Sequence, residues 1–328
     1  MVPDRSIGVY AAARRRAALP GVAGLLVLIL LFSGCSIRKL AVNKIGEAIA
    51  SGGSVYETDD DLALVGQALP FSLKLMESLL AESPEHRSLL EKVCQGFAIY
   101  SYVYVQYEAD ILADEDFKRS RQMRERARRL YLRALGYGMR GLEEVVPGIT
   151  EQLVGDPKAA AARVLKSRDV PLLYWTAVAL GLAISVSKDD AELLARLPEV
   201  EALLDRAMEL DESWNEGALH EFQLTLASVR PGALDYERVR RHYERALELS
   251  RGTHAALFVS YAELVSVRQQ DALEFEMLLD RALSIDADAH ENLRLANLVA
   301  QRRARWLLGR AEDLILMEDE EVLDEGGW

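Results

Sequence analysis

From residue 37 onward, the apolar residues of the chain recur mostly at the spacing of an amphipathic helix. The clearest helical faces are formed by Tyr236, Val239, Tyr243, Ala246 and Leu247, and again by Leu257, Phe258, Tyr261, Leu264 and Val265. Capping-box spacing at Ser213…Glu216 and Asp271…Glu274 indicates helix starts. Glycine and proline interrupt the pattern, as at Pro147-Gly148. The chain is therefore predicted to be all-α, with about a dozen helices joined by short loops.

Two apolar segments need interpretation. The segment Tyr102-Val103-Tyr104-Val105 is β-branched and aromatic, and by itself it would suit a strand. It lies between helical patterns at 86–100 and 106–113 without a turn signal on either side, so we interpret it as the middle of a long buried helix. The apolar run Leu172 to Val186 has 15 residues, which is short for a membrane span and suits a core helix.

A motif recurs near four predicted helix ends, where a tyrosine or leucine is followed three residues later by alanine. The alanines are Ala134, Ala207, Ala246 and Ala282, separated by 73, 39 and 36 residues. These separations are near one or two periods of the tetratricopeptide repeat (TPR), which is about 34 residues long. Alanine allows two helices to approach closely. We therefore predict stacked antiparallel helix pairs in a degenerate TPR-like α-solenoid or bundle, with a bundle without repeats as the alternative.

Composition and charge exclude several classes of protein. The 328 residues are 50% hydrophobic and 28% charged, as in ordinary globular proteins, and the length suits one large domain or two smaller ones. The formal net charge of −13 argues against nucleic-acid binding, which needs a basic surface. Two cysteines cannot form a disulfide scaffold. These numbers leave the function open.

The N-terminal segment is predicted to be a lipoprotein signal peptide. Arg14, Arg15 and Arg16 form a positive region, and a short apolar run follows over 22–32. The run ends at Phe32-Ser-Gly-Cys35, which resembles the lipobox of bacterial lipoproteins. Cys35 would then carry the lipid as the new N-terminus. The alternative is an N-terminal membrane anchor with a chance cysteine.

Processing at this position would divide the chain into four parts. These are a signal peptide (1–34), a lipidated tether with a short helix (35–58), a TPR-like helical domain (59–317) and an acidic tail (318–328). Several acyl chains on one cysteine anchor a protein stably, and Ser36 rather than aspartate after the cysteine favours the outer over the inner membrane. We therefore expect a periplasmic lipoprotein attached to the outer rather than the inner membrane.

Motifs that resemble catalytic or metal sites lack their structural context. Gly136-Tyr-Gly138-Met-Arg-Gly141 matches a dinucleotide-binding fingerprint, but it lies inside a helical pattern and follows no strand, so we interpret these as packing glycines. His220-Glu221 begins like a zinc-protease helix, yet position 224 is leucine. We predict no catalytic residue, no metal site and no cofactor. A lipoprotein enzyme with an unrecognised site remains an alternative.

Blocks of residues along most of the chain resemble the T component of TRAP transporters. In chain order they are Ala68-Leu-Pro70-Phe-Ser-Leu-Lys-Leu-Met-Glu77, Tyr100…Tyr107-Glu-Ala109, Arg126-Ala127…Leu130-Tyr131, Val170-Pro171-Leu-Leu-Tyr174-Trp175, Gly217-Ala218-Leu-His220-Glu-Phe222, Tyr261…Gln270-Asp271…Phe275 and Asn297-Leu-Val-Ala-Gln301-Arg-Arg-Ala304. The resemblance covers roughly residues 59–309.

This resemblance implies a periplasmic TPR-like lipoprotein that forms a homotrimer, with an apolar pore or cavity in each subunit. It also implies that the chain docks the substrate-binding P component of a TRAP transporter and helps to capture a small hydrophobic or carboxylate-bearing ligand. The alternative function is a TPR-type scaffold lipoprotein for protein–protein assembly in the envelope. A closed apolar tunnel would favour transport, whereas an open groove lined by asparagine, lysine and arginine would favour the scaffold.

Candidate site residues combine this resemblance with the chemistry of ligand cavities, which have apolar aromatic walls and a few polar groups. The candidates are Tyr174, Trp175, Trp214, His220, Tyr261 and Asn297. Ordinary core packing is the alternative for each of them. A second set, on one helix face that could meet an acidic partner or lipid headgroups, is Arg121, Arg124 and Arg128. A solvated helix face is the alternative there, and it is also what we expect for Arg302, Arg303 and Arg305.

Overall fold

The computed structural model describes residues 43–48 and 54–316, and all regular secondary structure in these ranges is helical. The α-helices after residue 53 are α1 Ser54–Glu57, α2 Leu62–Glu82, α3 Arg87–Ser101, α4 Tyr107–Ile111, α5 Phe117–Val145, α6 Ile149–Gly155, α7 Pro157–Ala162, α8 Val170–Ser185, α9 Ala191–Leu194, α10 Leu197–Asp211, α11 Ala218–Ala227, α12 Tyr236–Ser250, α13 Ala255–Tyr261, α14 Val267–Gln269, α15 Ala272–Leu283, α16 Arg294–Leu308 and α17 Ala311–Leu314. The predicted all-α class is confirmed.

Several predicted segments lie outside the described residues. They are the signal peptide, the lipidation site Cys35, much of the tether and the acidic tail. The boundaries after 34, 58 and 317 therefore stay predictions. Within the described ranges, no helix has both the length and the apolar character that a membrane span requires.

One of the two predicted helix starts forms as expected. Asp271 accepts a hydrogen bond from the backbone N–H of Glu274 at 2.9 Å and so caps α15. The start predicted at Ser213 is wrong, because residues 215 and 216 take left-handed φ values of 49° and 53°. This irregular turn ends at Gly217, with φ of 97°, and α11 begins only at Ala218. A capping box needs helical backbone over its first turn, which this segment lacks.

The ambiguous segment after residue 101 is helical, as interpreted, and not a strand. α3 continues through a π-helical turn at Tyr102–Gln106 directly into α4. A second π-helical turn at Ala262–Ser266 joins α13 to α14 in the same way. Such turns interrupt the regular helical register and are frequent at functional sites. Neither turn is foreseen by the sequence pattern.

Two main hydrophobic cores organise the helices. The larger one involves α2, α3, α5, α8 and α10 and contains fully buried side chains such as Leu90, Tyr131 and Leu173. The run predicted as a core helix is α8, which is buried along most of its length. The second core involves α13, α15 and α16 around Phe258 and Phe275. A third, smaller cluster joins α11, α12 and α13.

The four alanines of the repeated motif all lie inside the protein. Ala134, Ala207 and Ala282 have no exposed surface, and Ala246 is 2% exposed. Their burial agrees with the close helix approach that the motif suggests. The stacking of the helices as TPR-like pairs stays a prediction.

The three glycines of the fingerprint-like segment lie within α5, where Gly138 and Gly141 serve helix packing, whereas the packing role expected for Gly136 is wrong. A Cβ atom at Gly138 would overlap the Thr176 hydroxyl of α8 and lie 3.0 Å from the Sγ of Cys94, which is a buried free cysteine on α3. A Cβ atom at Gly141 would lie 2.8 Å from Leu172 Cδ1. By contrast, nothing lies within 4 Å of a Cβ atom at Gly136. Glycine is thus required where α5 passes closest to α3 and α8.

Gly138→Ala should lower the free energy of unfolding by about 1–3 kcal/mol, because the added methyl group overpacks the contact with Thr176 and Cys94. Gly136→Ala on the same helix should leave stability unchanged or raise it by up to about 1 kcal/mol, because alanine favours the helix and meets open space. Urea unfolding followed by circular dichroism measures both. Equal stabilities of the two variants would contradict the close approach.

Candidate ligand cavity between the two helical cores

A cavity of about 310 Å³ lies where the two main cores meet. Its walls come from α3, α8, α11, α13 and α16 and from both π-helical turns. Most of the wall is apolar, with side chains such as Val103, Val178, Leu182, Val259, Leu295 and Val299. This size and lining are typical of small-molecule sites.

The π-helical turns bring polar side chains to this space. The first turn supplies Tyr102 and the second supplies Glu263. Tyr102 is 37% exposed, and it is part of the cavity wall. Burial of the hydroxyl, together with the negative charges of Glu263, Asp110 and Glu221, raises the pKa of Tyr102, although Arg303 acts against this. Tyr102 therefore offers the cavity a neutral hydroxyl.

Tyr174 is the centre of an aromatic cluster in the wall. Its ring centroid lies 5.0 Å from Trp175, 4.9 Å from Trp214 and 6.1 Å from Phe222. Trp175 and Phe222 also line the cavity, whereas Trp214 packs behind Tyr174. Burial raises the pKa of the Tyr174 hydroxyl far above its usual range. Such rings present large apolar faces that also attract cations.

Arg303 on α16 connects the cavity walls through ion pairs. Its Nε donates to Glu263 Oε2 at 2.9 Å, its Nη2 donates to Glu263 Oε1, and its Nη1 lies 3.4 Å from Asp110 Oδ2 on α4. Asp110 also accepts a hydrogen bond from Arg124 of α5 at 3.0 Å. Burial alone would lower the pKa of the Arg303 guanidinium. The neighbouring Glu263 carboxylate outweighs this effect of burial, so the pKa is raised. The resulting ion-pair chain links four helical elements.

Glu221 places a second carboxylate in the wall, next to Phe222 on α11. Its Oε2 lies 3.3 Å from Nδ1 of His254, and Nε2 of the same histidine lies 3.5 Å from Glu216. Burial acts to lower the pKa of His254, but the two carboxylates outweigh it and raise that pKa. The two carboxylates therefore favour the protonated form of this histidine.

Tyr107 belongs to the cavity wall, but its hydroxyl is buried behind it. Tyr107 is 2% exposed, and its hydroxyl has no hydrogen-bond partner within the part of the chain that the structure describes. Its ring is covered by Trp306, at a centroid distance of 6.2 Å, and by the Arg303 guanidinium at 5.2 Å. An unsatisfied buried hydroxyl costs about 1–3 kcal/mol.

The structure brings only some of the predicted ligand-binding residues to the cavity. Tyr174 and Trp175 line it, and Trp214 supports Tyr174 from behind. His220, Tyr261 and Asn297 are not part of the lining. A ligand-binding role for any of these residues stays a prediction.

His220 and Tyr261 make other contacts. Nε2 of His220 lies 3.1 Å from Glu212 Oε1, and its Nδ1 lies 2.9 Å from Nδ1 of His242. Tyr261 packs on Tyr243 with ring centroids 4.2 Å apart. Nowhere in the described ranges do His, Cys, Asp and Glu side chains form a group of three or more that could hold a metal ion.

Asn297 joins two helices of the second core. Its Nδ2 donates to the Thr253 carbonyl at 3.0 Å, and its Oδ1 accepts from the Ala255 backbone N–H at 2.9 Å. The side chain of one helix, α16, thereby caps the start of another, α13. Both helices line the cavity, so Asn297 fixes the wall without facing the cavity itself.

The three arginines of the basic helix face lie on α5. Arg124 pairs with Asp110 at 3.0 Å, and Arg128 pairs with Asp190 at 2.8 Å. Arg121 lies at a shallow surface hollow. Two of the three therefore make ion pairs within the chain. Their proposed contact with an acidic partner or lipid headgroups stays a prediction.

The sequence pattern does not reveal four polar residues of the cavity, namely Tyr102, Glu221, Glu263 and Arg303. The solvated face expected for Arg303 is wrong, because its side chain is only 13% exposed and pairs with Glu263. The pair is separated by 40 residues, so only the fold brings it together. The strand-like stretch at 102–105 is a sequence signal that marks the first π-helical turn of this region.

Comparison with known families identifies the protein family of this chain. The model of the TRAP transporter T-component family matches residues 58–315. The chain belongs to this family. This T component is therefore an accessory component of a TRAP transporter, and its family is not one of enzymes. The chain is also 28% identical over 306 residues to an uncharacterized protein of Treponema pallidum (strain Nichols), across 88% of this chain and 95% of the relative.

Replacing Arg303 of this T component by methionine should lower the free energy of unfolding by about 2–4 kcal/mol, because the carboxylates of Glu263 and Asp110 lose their counter-charge. Arg302→Met is the matched control. Arg302 is 43% exposed and pairs with Glu108, so its loss should cost at most about 1 kcal/mol. Urea unfolding monitored by tryptophan fluorescence compares them. An equally small loss for both variants would contradict a structural role for Arg303.

The histidine pair of the T component should make its stability depend on pH. Burial, followed by the charges of His220 and of Arg238, Arg230 and Arg241, lowers the pKa of His242 to about 4. In the unfolded chain this histidine binds a proton below about pH 6.5, whereas in the folded chain it does so only near pH 4. Stability should therefore fall as the pH falls from about 6.5 to 4.

In His242→Gln this part of the pH dependence should disappear. Glu212, which contacts His220, has a pKa of about 2, set mainly by its hydrogen bond to Arg245, so it stays ionised through this pH range. His290→Gln, at an exposed histidine, is the control and should keep the wild-type pH profile. The measurement is urea unfolding at several pH values. An unchanged profile in His242→Gln would refute the assignment.

Proposed function

We propose that this T component is a lipid-anchored periplasmic subunit that binds a small hydrophobic ligand in the cavity and docks the substrate-binding P component of its transporter. The cavity between the two cores is the observation that carries this proposal. Its apolar wall and few polar groups suit a small molecule with an apolar body. Ligand transfer would then follow from the difference in affinity between the cavity and the P component.

The lining favours transport over the scaffold alternative. A peptide-binding scaffold would use an open groove lined by asparagine, lysine and arginine. The lining of this cavity includes Asn292 and Arg303 among its polar groups, and Arg303 is already paired with Glu263. Lipidation at Cys35, periplasmic location, TPR-like stacking and a homotrimer are further parts of the proposal, supported by the lipobox-like segment, the alanine motif and the resemblance to the family.

Native mass spectrometry of the protein without its lipid anchor, alone and mixed with a candidate P component, tests the assembly part of this proposal. We expect a homotrimer and a complex with the P component. Monomers that form no such complex would refute the docking role.

Ligand entry is tested with N-phenyl-1-naphthylamine, a neutral probe that fluoresces in apolar sites. Ala296 of α16 lines the cavity, and Ala296→Phe should reduce probe affinity by about tenfold or more, because the ring occupies the binding space. The control is Ala81→Phe, an exposed position on α2 outside the lining, which should leave affinity unchanged. Equal binding by both variants would show that the probe does not use this cavity.

A further inference from the structure

Helix α5 is strongly basic, in contrast to the chain as a whole. Its 29 residues include nine lysines and arginines and three glutamates, whereas the full chain has a formal net charge of −13. A concentrated basic surface on an acidic protein attracts anionic groups. The surface of α5 is therefore a place where an acidic segment or another anion can bind.

A shallow hollow lies on the first half of this helix. It is lined by Lys118, Arg121, Gln122, Glu125 and Arg129, and we call it the basic hollow. Lys118 and Arg121 are exposed, and neither forms an ion pair within the part of the chain that the structure describes. Among the described lining residues, Glu125 is the one carboxylate, and it already contacts Arg128 and Arg129. The hollow therefore presents cations that lack a counter-charge.

The acidic turn before α5 does not supply this counter-charge. Asp114 pairs with Arg310 at 2.9 Å, and Asp116 caps α5 by accepting a hydrogen bond from the Arg119 backbone N–H at 2.9 Å. In this turn, the charge of Glu115 is left to oppose the exposed cations of α5, which outnumber it.

The pairing of Arg310 with Asp114 brings the C-terminal end of the described fold close to the basic hollow. Asp114 precedes Lys118 of the hollow by four residues. Arg310 precedes Leu316, the last described residue, by six residues. The remaining chain therefore leaves the fold near the start of α5.

This remaining segment, 317–328, complements the hollow in charge and can reach it. It contains no lysine or arginine, and its acidic residues are Glu318, Asp319, Glu320, Glu321, Asp324 and Glu325. Its twelve residues extend up to about 40 Å, whereas Lys118 and Arg129 are about 17 Å apart along the helix. The segment can therefore contact all the cations of the hollow.

An exposed aromatic ring adjoins these cations. Phe117 is the first residue of α5 and is 68% exposed. In the C-terminal segment, Val322 and Leu323 lie between two groups of carboxylates. A segment of this composition can pair its charges with the basic side chains and also cover the ring, and burial of apolar surface would add to the binding free energy.

We propose that the acidic C-terminal segment 317–328 binds to the basic hollow of α5 in its own chain. An acidic partner protein or a lipid headgroup would meet the same cations as a free molecule, whereas a tethered segment acts at a high effective concentration. The segment therefore occupies the hollow first, and an anionic partner must displace it. This inference concerns the outer surface and is independent of ligand binding in the cavity.

Spin labelling tests this contact in the full chain without its lipid anchor and Cys35. Val322→Cys provides the labelling site, because Cys94 is fully buried and burial raises the pKa of its thiol far above the usual range. We expect an immobilised label at about 0.1 M salt and loss of the immobilisation at about 1 M, where the screening length falls from about 10 Å to about 3 Å. A label that is mobile at low salt, or equally immobilised at both salt concentrations, would overturn the proposal.

Charge reversal then locates the binding surface. Lys118→Glu/Arg121→Glu should free the label at low salt, because the hollow would repel the acidic segment. Lys166→Glu/Arg241→Glu, at two exposed positions outside α5, reverses the same number of charges and should keep the label immobilised. Immobilisation that survives the change in α5, or that is lost equally in both variants, would exclude the basic hollow. Immobilisation that disappears on dilution would assign the segment to a second copy and so refute binding within one chain.

Discussion

The ion pairs of Arg303 join the last long helix of the array to its beginning. Asp110 and Arg303 are 193 residues apart in sequence, and the guanidinium also binds Glu263 of the second π-helical turn. Two further arginines repeat this contact, because Arg302 pairs with Glu108 at 2.7 Å and Arg310 with Asp114 at 2.9 Å. Each hydrophobic core is packed within its own group of helices, while this polar seam holds the two groups together. The space between the cores can therefore remain unfilled by side chains.

An apolar space of this kind survives only where the surrounding side chains cannot collapse into it, because close packing is the rule in protein interiors. Several residues prevent collapse here. Trp214 supports the Tyr174 ring, and Asn297 ties α13 to α16 through backbone hydrogen bonds. The glycines of α5 and the buried alanines bring each set of helices so close that little freedom remains within the cores. The residues around the cavity thus divide into a rigid frame and an inner lining.

The sequence predicts local features of this architecture well, and non-local ones poorly. Helical periodicity, the cap at Asp271, the core helix α8 and the packing role of Gly138 all follow from neighbouring residues. The candidate site was predictable only from aromatic character and family resemblance. These two criteria identify the cavity residues Tyr174 and Trp175. They also select Tyr261, an equally apolar tyrosine that packs on Tyr243 and does not line the cavity. The pairing of Arg303 with Glu263 and Asp110 depends on the closure of the whole array, and no spacing along the chain encodes it.

The ion pairs of Arg303 that join the two cores also affect which ligands the cavity can bind. The net charge of −13 describes the chain as a whole, and the cavity wall repeats this acidic excess around one guanidinium. A ligand carboxylate that bound Arg303 would compete with Glu263 and Asp110 for the contacts that join the two cores. An anionic ligand that reached Arg303 would therefore weaken the contacts that form its own binding site, whereas an apolar body held by the aliphatic wall would leave them intact.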